Sequence, residues 1–93
     1  MIELGADVAI IGGTPKKDTV RLSSRSTRAF YENTGINLGT DVMDPIGVLI
    51  DGEGGGHANA AGANGKKNLD EALEKSLEII RNKIENLSRG SDE

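Results

Sequence analysis

The sequence contains no cysteine and no tryptophan, and its aromatic side chains are limited to Phe30 and Tyr31. The absence of cysteine excludes a disulfide framework and thiolate chemistry, and it permits a reducing compartment, so a cytoplasmic location is expected. With so few rings, the core must consist of aliphatic side chains and closely packed glycine, and no platform exists for stacking bases. The apolar runs 8–11 and 46–50 are far shorter than the roughly 20 residues of a membrane span, so no membrane association is expected.

Basic residues are scarce overall but concentrated locally. The net charge is −4 at neutral pH, which argues against a general nucleic-acid-binding surface. Residues 14–28 nevertheless hold five basic side chains and one acidic one, a local charge of +4, whereas residues 69–93 hold seven acidic and four basic ones. An anionic ligand is therefore expected near the first segment and away from the second. The five basic residues are Lys16, Lys17, Arg21, Arg25 and Arg28.

Two segments near the start of the chain predict an antiparallel β-hairpin. Residues 7–12 form a short apolar run rich in β-branched side chains, and residues 18–26 alternate in character with a period of two. In the second segment Arg21, Ser23 and Arg25 fall on the same face. The hairpin should therefore carry one basic, hydroxylated face.

A short helix and a further strand are predicted in the middle of the chain. Asp44 followed by Pro45 fits an N-cap and a first helical position, which predicts a helix through about Ile50. A start nearer Thr40 also fits. After the glycine-rich stretch, residues 60–63 predict a strand more readily than a packed turn.

The end of the chain predicts a long amphipathic helix. Asn68 can act as its cap with Glu71 three residues later, and apolar residues then recur at spacings of three and four over 69–88. These apolar residues are expected to form one stripe that packs on the core. They are Leu69, Leu73, Leu77, Ile80, Ile84 and Leu87.

Together these elements predict a single α+β domain over residues 1–88. Its small sheet should consist of the hairpin plus one strand, packed by the short helix and the long C-terminal helix. Residues 32–40 are predicted as loop because asparagine or glycine occurs at every second position from Asn33 to Gly39. Residues 89–93 are predicted as a flexible tail.

The densest motif is the glycine-rich stretch GEGGGHANAAGANG at 52–65. Three consecutive glycines are typical of positions where φ is positive or where a ligand approaches the backbone closely. A P-loop is excluded because Gly65 is followed by two lysines, and a dinucleotide-binding pattern because His57 or Asn59 replaces its third glycine. One histidine without cysteine does not predict a zinc site.

Several polar side chains are candidate ligands for a phosphate. His57 follows the glycines and could donate to a phosphate or lie near a base. Arg21 and Arg25 share a face with Ser23, and arginine is a typical phosphate ligand, although solvated surface charges are the ordinary alternative. Asn59 could bind the ligand or merely pin the turn after His57. The carboxylates of the middle segment do not predict a metal site.

Two motifs, in this order, resemble one known family. The segment VRLSSRS at 20–26 and the segment GGGHANAAGA at 54–63 are similar to the C-terminal DHH-associated domain of DHH phosphoesterases. The resemblance covers about residues 7–84. The family includes RecJ-like single-strand exonucleases, oligoribonucleases that degrade very short RNA, and some cyclic-dinucleotide phosphodiesterases, so the resemblance implies a nucleic-acid-binding domain of a hydrolase.

The resemblance also implies roles for residues in both motifs. Arg25 and Ser26 would bind phosphate or sugar of the nucleic acid, and the GGGH motif would form a loop that faces the metals. Alternation along the strand places Ser26 on the opposite face from Arg25 unless a bulge intervenes. The loop would consist of Gly54, Gly55, Gly56 and His57.

In this family the metal centre lies on a separate N-terminal domain. Two divalent cations, manganese or magnesium, are held there by aspartates and histidines and activate the attacking water. This chain has no Asp-His-His sequence, so the resemblance implies no cofactor and no catalytic residue within it. The implied partners are the DHH domain and single-stranded DNA or short RNA. Family members usually carry a further helix and strand before the region matching Asp7. Where these neighbours are missing, the exposed edge of the sheet could pair with a second chain and form a homodimer.

Two alternatives remain open at the level of sequence. A related domain ends alanyl-tRNA synthetases, where it serves tRNA binding and subunit association, and a preference for folded tRNA would favour that class. A purely structural domain would bind no oligonucleotide at all. The sequence does not separate DNA, short RNA and cyclic dinucleotides as ligands.

Overall fold

The computed structural model describes residues 2–3 and 7–90. Antiparallel pairing joins its strands into one five-stranded sheet in the order β1-β2-β3-β5-β4. The strands are β1 (Ile2–Glu3), β2 (Val8–Gly13), β3 (Val20–Ser26), β4 (Glu53–Gly56) and β5 (Ala60–Gly65). The α-helices in the described part are α1 (Arg28–Thr34), α2 (Asp44–Leu49) and α3 (Leu69–Gly90), and a π-helical turn, Leu38–Met43, leads directly into α2.

Side-chain alternation gives the sheet two very different faces. On the inner face, Val8, Ile10, Val20 and Leu22 are buried beneath the helices. On the outer face, the intervening residues of β3 are exposed. The rest of the core comes from the helical side and consists of Phe30, Ile36, Leu38, Val42, Met43, Ile46, Ile50, Ala72 and Ile80, together with Ala63 of β5.

The mixed α+β class and the β2–β3 hairpin are confirmed. Register pairs Ile11 with Ser23 across the hairpin, and β5 confirms the strand predicted at 60–63. The short strand β1, which pairs with β2, precedes the predicted sheet. No helix in the described part of the chain is both long enough and apolar enough to cross a membrane.

The loop predicted for 32–40 is wrong at both of its ends. Helix α1 runs to Thr34, and the π-helical turn begins at Leu38. Asn37 starts that turn, because its side-chain Oδ1 accepts from the Thr40 N–H at 3.0 Å and its own N–H donates to the Asp41 carboxylate at 2.9 Å. This reciprocal pair is a capping arrangement. The predicted cap at Asp44 is therefore wrong, since the chain is already helical there.

The long helix α3 is confirmed, with two differences from the prediction. Asn68 stands at its start and its carbonyl accepts from the Ala72 N–H at 2.9 Å, but its side-chain amide donates to the Leu49 carbonyl at 2.9 Å, a bond to α2 in place of a cap. The helix continues to Gly90, slightly beyond the predicted end. Residues 91–93 of the predicted tail lie outside the described residues.

The apolar stripe of α3 is only partly buried. Ile80 is fully buried, and Leu69 and Leu73 pack against the core, where the missing side chain of Gly12 gives them room against β2. Two residues of the predicted core stripe are 42% and 46% exposed, so the prediction is wrong for them. They are Ile84 and Leu87.

Candidate nucleic-acid interface

The outer face of the sheet presents three rows of residues that no helix of the described chain covers. Most of them are glycine, alanine or serine, so the surface is flat, and one arginine stands in each of the two outer rows. Successive rows lie about 7 Å apart along the strands. Read from β2 toward β4, the rows are Ala9, Arg25 and Ala60; Ile11, Ser23, Gly62 and Gly55; and Gly13, Arg21, Asn64 and Glu53.

Arg25 and Arg21 give this outer face its positive charge. Both side chains are exposed. The Arg21 Nε donates to the Asn64 Oδ1 at 3.0 Å, which holds the guanidinium against β5 and leaves its terminal nitrogens free for a ligand. Among the side chains that the structure describes, neither arginine lies within ion-pair distance of a carboxylate. Both charges are therefore available to an anion.

The other basic residues of the 14–28 segment contribute less positive charge to the outer face than the two sheet arginines do. Arg28 lies at the start of α1 and pairs with Glu32 at 3.4 Å. Both side chains are largely exposed, so the pair contributes little to stability, but it offsets the charge locally. The Lys16 backbone is bonded to Thr19 in the β2–β3 turn. The predicted patch is therefore reduced to the two sheet arginines and the turn lysines.

Ser26 and Asn59 form a locked corner at the end of β3. The Asn59 Nδ2 donates to the Ser26 Oγ at 3.2 Å and to the Thr27 carbonyl at 3.1 Å, while the Ser26 N–H donates to the Asn59 carbonyl at 2.9 Å. Both amide hydrogens of Asn59 are thus used within the chain. Asn59 therefore stabilises the turn that contains His57, which is one of the two roles that the sequence predicted for it. The Ser26 side chain alternates away from that of Arg25, as predicted.

The glycine run is a strand, which corrects the loop expected for Gly54, Gly55 and Gly56. These residues lie in β4 and pair with β5. The strand packs with its backbone against the π-helical turn and α2, where a Cβ on Gly39 would stand 2.6 Å from the Gly56 carbonyl oxygen. A Cβ on Gly47 would meet the Gly54 nitrogen. Glycines on both sides of the contact permit an approach that side chains would prevent.

Within the run, two glycines are required by the fold and one is not. A Cβ on Gly54 would overlap the Met43 carbonyl, and Gly56 has φ 135° with Ala61 Cα 2.7 Å from where its Cβ would lie. Gly55 has no positive φ, and nothing lies within 4 Å of its would-be Cβ. It lies on the outer face, opposite Gly62. A close-approaching ligand would account for glycine at this position.

His57 lies at the same end of the sheet as Arg25. It follows β4 directly, is exposed, and its N–H donates to the Ala60 carbonyl at 2.8 Å. Ala60 is the residue that pairs with Arg25. Two strand spacings, about 10 Å, therefore separate the backbones of His57 and Arg25. An extended phosphate ligand can span that distance.

Sequence reasoning missed two residues of this surface, Asn64 and Gly62. Asn64 positions Arg21, and Gly62 continues the flat middle row between Ser23 and Gly55. Both lie on β5, and the run of small residues along 60–65, interrupted only by Asn64, was a signal for them. Their proximity to β3 could not be deduced, because the register of two strands so far apart in sequence is set by tertiary packing.

The described residues contain no group of three or more histidine, aspartate or glutamate side chains that could hold a metal ion. The candidate ligands for an oligonucleotide are instead the cationic and small residues of the outer face. They are Arg21, Arg25, Gly55 and His57, with Ser26 and Asn59 supporting the corner beside them.

Comparison with known proteins gives matches over nearly the whole chain. The family model described as the DHHA1 domain matches residues 2–86, nearly the whole chain. A protein of Methanocaldococcus jannaschii, named only as uncharacterized, is 31% identical over 83 residues, which are 88% of this chain and 24% of the relative. The chain thus spans about a quarter of the length of that relative.

Proposed function

This chain belongs to the DHHA1 family, the accessory domains of DHH-family phosphoesterases, and from that premise we propose that it holds a single-stranded or short oligonucleotide for hydrolysis. The sheet binds phosphate and sugar and presents them to the DHH domain. That domain carries the manganese or magnesium ions, which supply a water activated for attack. The part played by this chain is binding and orientation, as in a RecJ-like exonuclease or an oligoribonuclease.

The observation that carries the proposal is that Arg25 and Gly55 lie in neighbouring rows of the same uncovered face. A guanidinium presents several donors in a fixed plane and binds a phosphate through two of them. Gly55 and Gly62 leave the surface between β3 and β4 without side chains, so a sugar–phosphate backbone can approach to van der Waals distance. His57 stands beside them as a further donor to the phosphate.

The character of this surface also predicts how selective the binding is. The outer-face rows contain no aromatic residue, so bases cannot be held by stacking on rings, which is the usual means of gripping single strands. Binding through phosphate and sugar has little sequence preference. It also weakens with salt, because each phosphate that is neutralised releases counterions.

The direct test compares two variants that each remove one arginine. Arg25→Ala should weaken binding of a 5′-phosphorylated trinucleotide by about tenfold or more, as expected for the loss of a charge-assisted hydrogen bond worth at least about 1.5 kcal/mol. Arg81→Ala removes the same charge from the exposed surface of α3 and should change affinity less than about twofold. Fluorescence polarisation with DNA and RNA in parallel, at several salt concentrations, gives the dissociation constants.

The outcome also separates the alternatives. Equal losses in the two variants, or an affinity that does not respond to salt, would contradict the proposed site. Tight binding of folded tRNA with little binding of short strands would place the chain with the tRNA-binding domains. No binding of any oligonucleotide would indicate a structural domain. Circular dichroism of both variants controls for folding.

A further inference from the structure

We propose that the outer face holds a second phosphate at Arg21, two nucleotide steps from the one at Arg25, so that the domain prefers strands with three or more successive phosphates. The inference rests on the proposed function and adds to it a length requirement. It predicts that the ligand lies along β3, from the His57 corner toward the β2–β3 turn.

The spacing of the two arginines is the first argument. They lie on the same face of β3 four residues apart, and at about 3.3 Å per residue their Cα atoms are about 13 Å apart. That separation exceeds one nucleotide step of a single strand and suits two. In the row between them, Ser23 has Ile11 on its β2 side and Gly62, then Gly55, on its β5 side, so the intervening sugar and phosphate meet no bulky side chain on the β5 side.

Preorganisation of Arg21 is the second argument. Its Nε–H is already bonded to the Asn64 Oδ1 at 3.0 Å, so the side chain loses less rotamer freedom when a phosphate binds to its terminal nitrogens. Asn64 is exposed and on the same face. Backbone hydrogen bonds already join β5 to β3 here, so the side-chain bond is not needed to hold the strands together. Its most direct role is to position the Arg21 guanidinium.

The surroundings of Arg21 provide the third argument. Beside it is a shallow depression of about 320 Å³ lined by Ile11, Pro15 and the two glycines that end β2. Ile11 is 53% exposed there. An apolar wall next to a cation suits a nucleotide, whose base packs on Ile11 and Pro15 while its phosphate contacts Arg21.

Glu53 restricts the direction of the ligand. It pairs with Asn64 and ends the Arg21 row on the β4 side. Its exposed carboxylate repels phosphate from that side, so a strand that passes Arg21 is directed toward β2 and the apolar depression. The proposed path therefore runs from His57 and Arg25 along β3 to Ile11.

The test measures affinity as a function of length and of salt. A 5′-phosphorylated dinucleotide reaches only the Arg25 subsite, whereas a 5′-phosphorylated tetranucleotide reaches both. For the unaltered chain we expect the tetranucleotide to bind about tenfold more tightly. Its log–log salt dependence should be steeper by about 0.7, the contribution of one further neutralised phosphate on a single strand. A longer strand also gains binding registers, but registers alone leave the salt slope unchanged.

Three variants complete the experiment. Arg21→Ala should abolish both the affinity gain and the added salt slope while leaving the dinucleotide within about twofold. Asn64→Ala should give a smaller loss confined to the tetranucleotide. Arg25→Ala should weaken both ligands. All three positions are exposed, so folding is expected to persist and is checked by thermal unfolding.

The possible failures are distinct. If Arg21→Ala leaves the tetranucleotide unchanged, or weakens both ligands equally, the second subsite does not exist, while the loss caused by Arg25→Ala still supports the proposed function. If the unaltered chain binds neither ligand, the proposed function fails and the length requirement fails with it.

Discussion

At the scale of single residues, Gly54 and Gly55 are neighbours in β4 with opposite surroundings. Gly54 faces inward, where a Cβ would overlap the Met43 carbonyl. Gly55 faces outward into open space. The first glycine is explained by packing within the chain, whereas no contact of the described chain requires the second, and the proposed ligand would account for it.

This difference predicts opposite phenotypes for one chemical change. Gly54→Ala should lower the free energy of unfolding by about 3 kcal/mol or more, because the added methyl group meets backbone that cannot shift without moving the π-helical turn. Gly55→Ala should leave it unchanged or raise it by about 0.4–1 kcal/mol through the unfolded state. The Gly55 variant should nevertheless bind the trinucleotide several-fold more weakly.

Urea unfolding and fluorescence polarisation on the two variants measure these effects. Arg81→Ala, on the exposed surface of α3 and outside the proposed phosphate path, is the control and should change neither property appreciably. Unimpaired binding by Gly55→Ala would show that no ligand approaches β4 at this point.

At the scale of elements, the length of α3 explains the partly wrong prediction of its apolar stripe. Its 22 residues extend about 33 Å, whereas the seven residues of β3 extend about 23 Å. The helix is thus longer than the strand, and near its end Leu87 lines a groove with Thr34, Gly35 and Ile36 at the end of α1 and stays half exposed. Periodicity identifies a helix face, but not the length of its partner.

The same comparison predicts that alanine substitutions of two isoleucines of α3 lower the free energy of unfolding by unequal amounts. Ile80→Ala should destabilise the chain by about 2–5 kcal/mol, because Ile80 is fully buried and the change leaves a cavity. Ile84→Ala should cost under about 1 kcal/mol, since its side chain is 42% exposed. Chemical denaturation of both variants tests this; similar losses would mean that the distal end of α3 is packed.

The sequence predicted the elements that have a strong local pattern. The β2–β3 hairpin follows from alternation and α3 from its spacing of apolar residues, and both are confirmed. The same alternation separated Arg25 from Ser26 and thus located the charged face. These features depend on periodicity, which a single sequence contains.

The missed elements depend on tertiary contacts. Strand β4 is mostly glycine, which has a weak intrinsic preference for strands, and it forms because β5 and the π-helical turn hold it on two sides. The start of the π-helical turn at Leu38 follows an asparagine cap hidden among residues that otherwise read as loop. Arg25 and His57 could be predicted as residues of the candidate site from the sequence alone. The bond from Arg21 to Asn64 could not, because it depends on the register of β3 and β5.

At the scale of the whole molecule, the acidic helix α3 and the two sheet arginines lie on opposite sides of the sheet. The acidic helix α3 packs over the inner face, while Arg21 and Arg25 stand on the outer face. This distribution of charge would repel a nucleic acid from the helical layer and attract it to the sheet. We therefore propose that the uncovered face of the sheet is the oligonucleotide-binding surface.

The measurement that tests this claim most directly is an NMR titration of the isotopically labelled chain with a 5′-phosphorylated trinucleotide, DNA and RNA in parallel. We predict saturable shifts of the amides of Arg21, Arg25, Gly55 and His57, with those of Glu78 and Arg81 on α3 unchanged. Shifts centred on α3, or no shifts at millimolar ligand, would contradict the account.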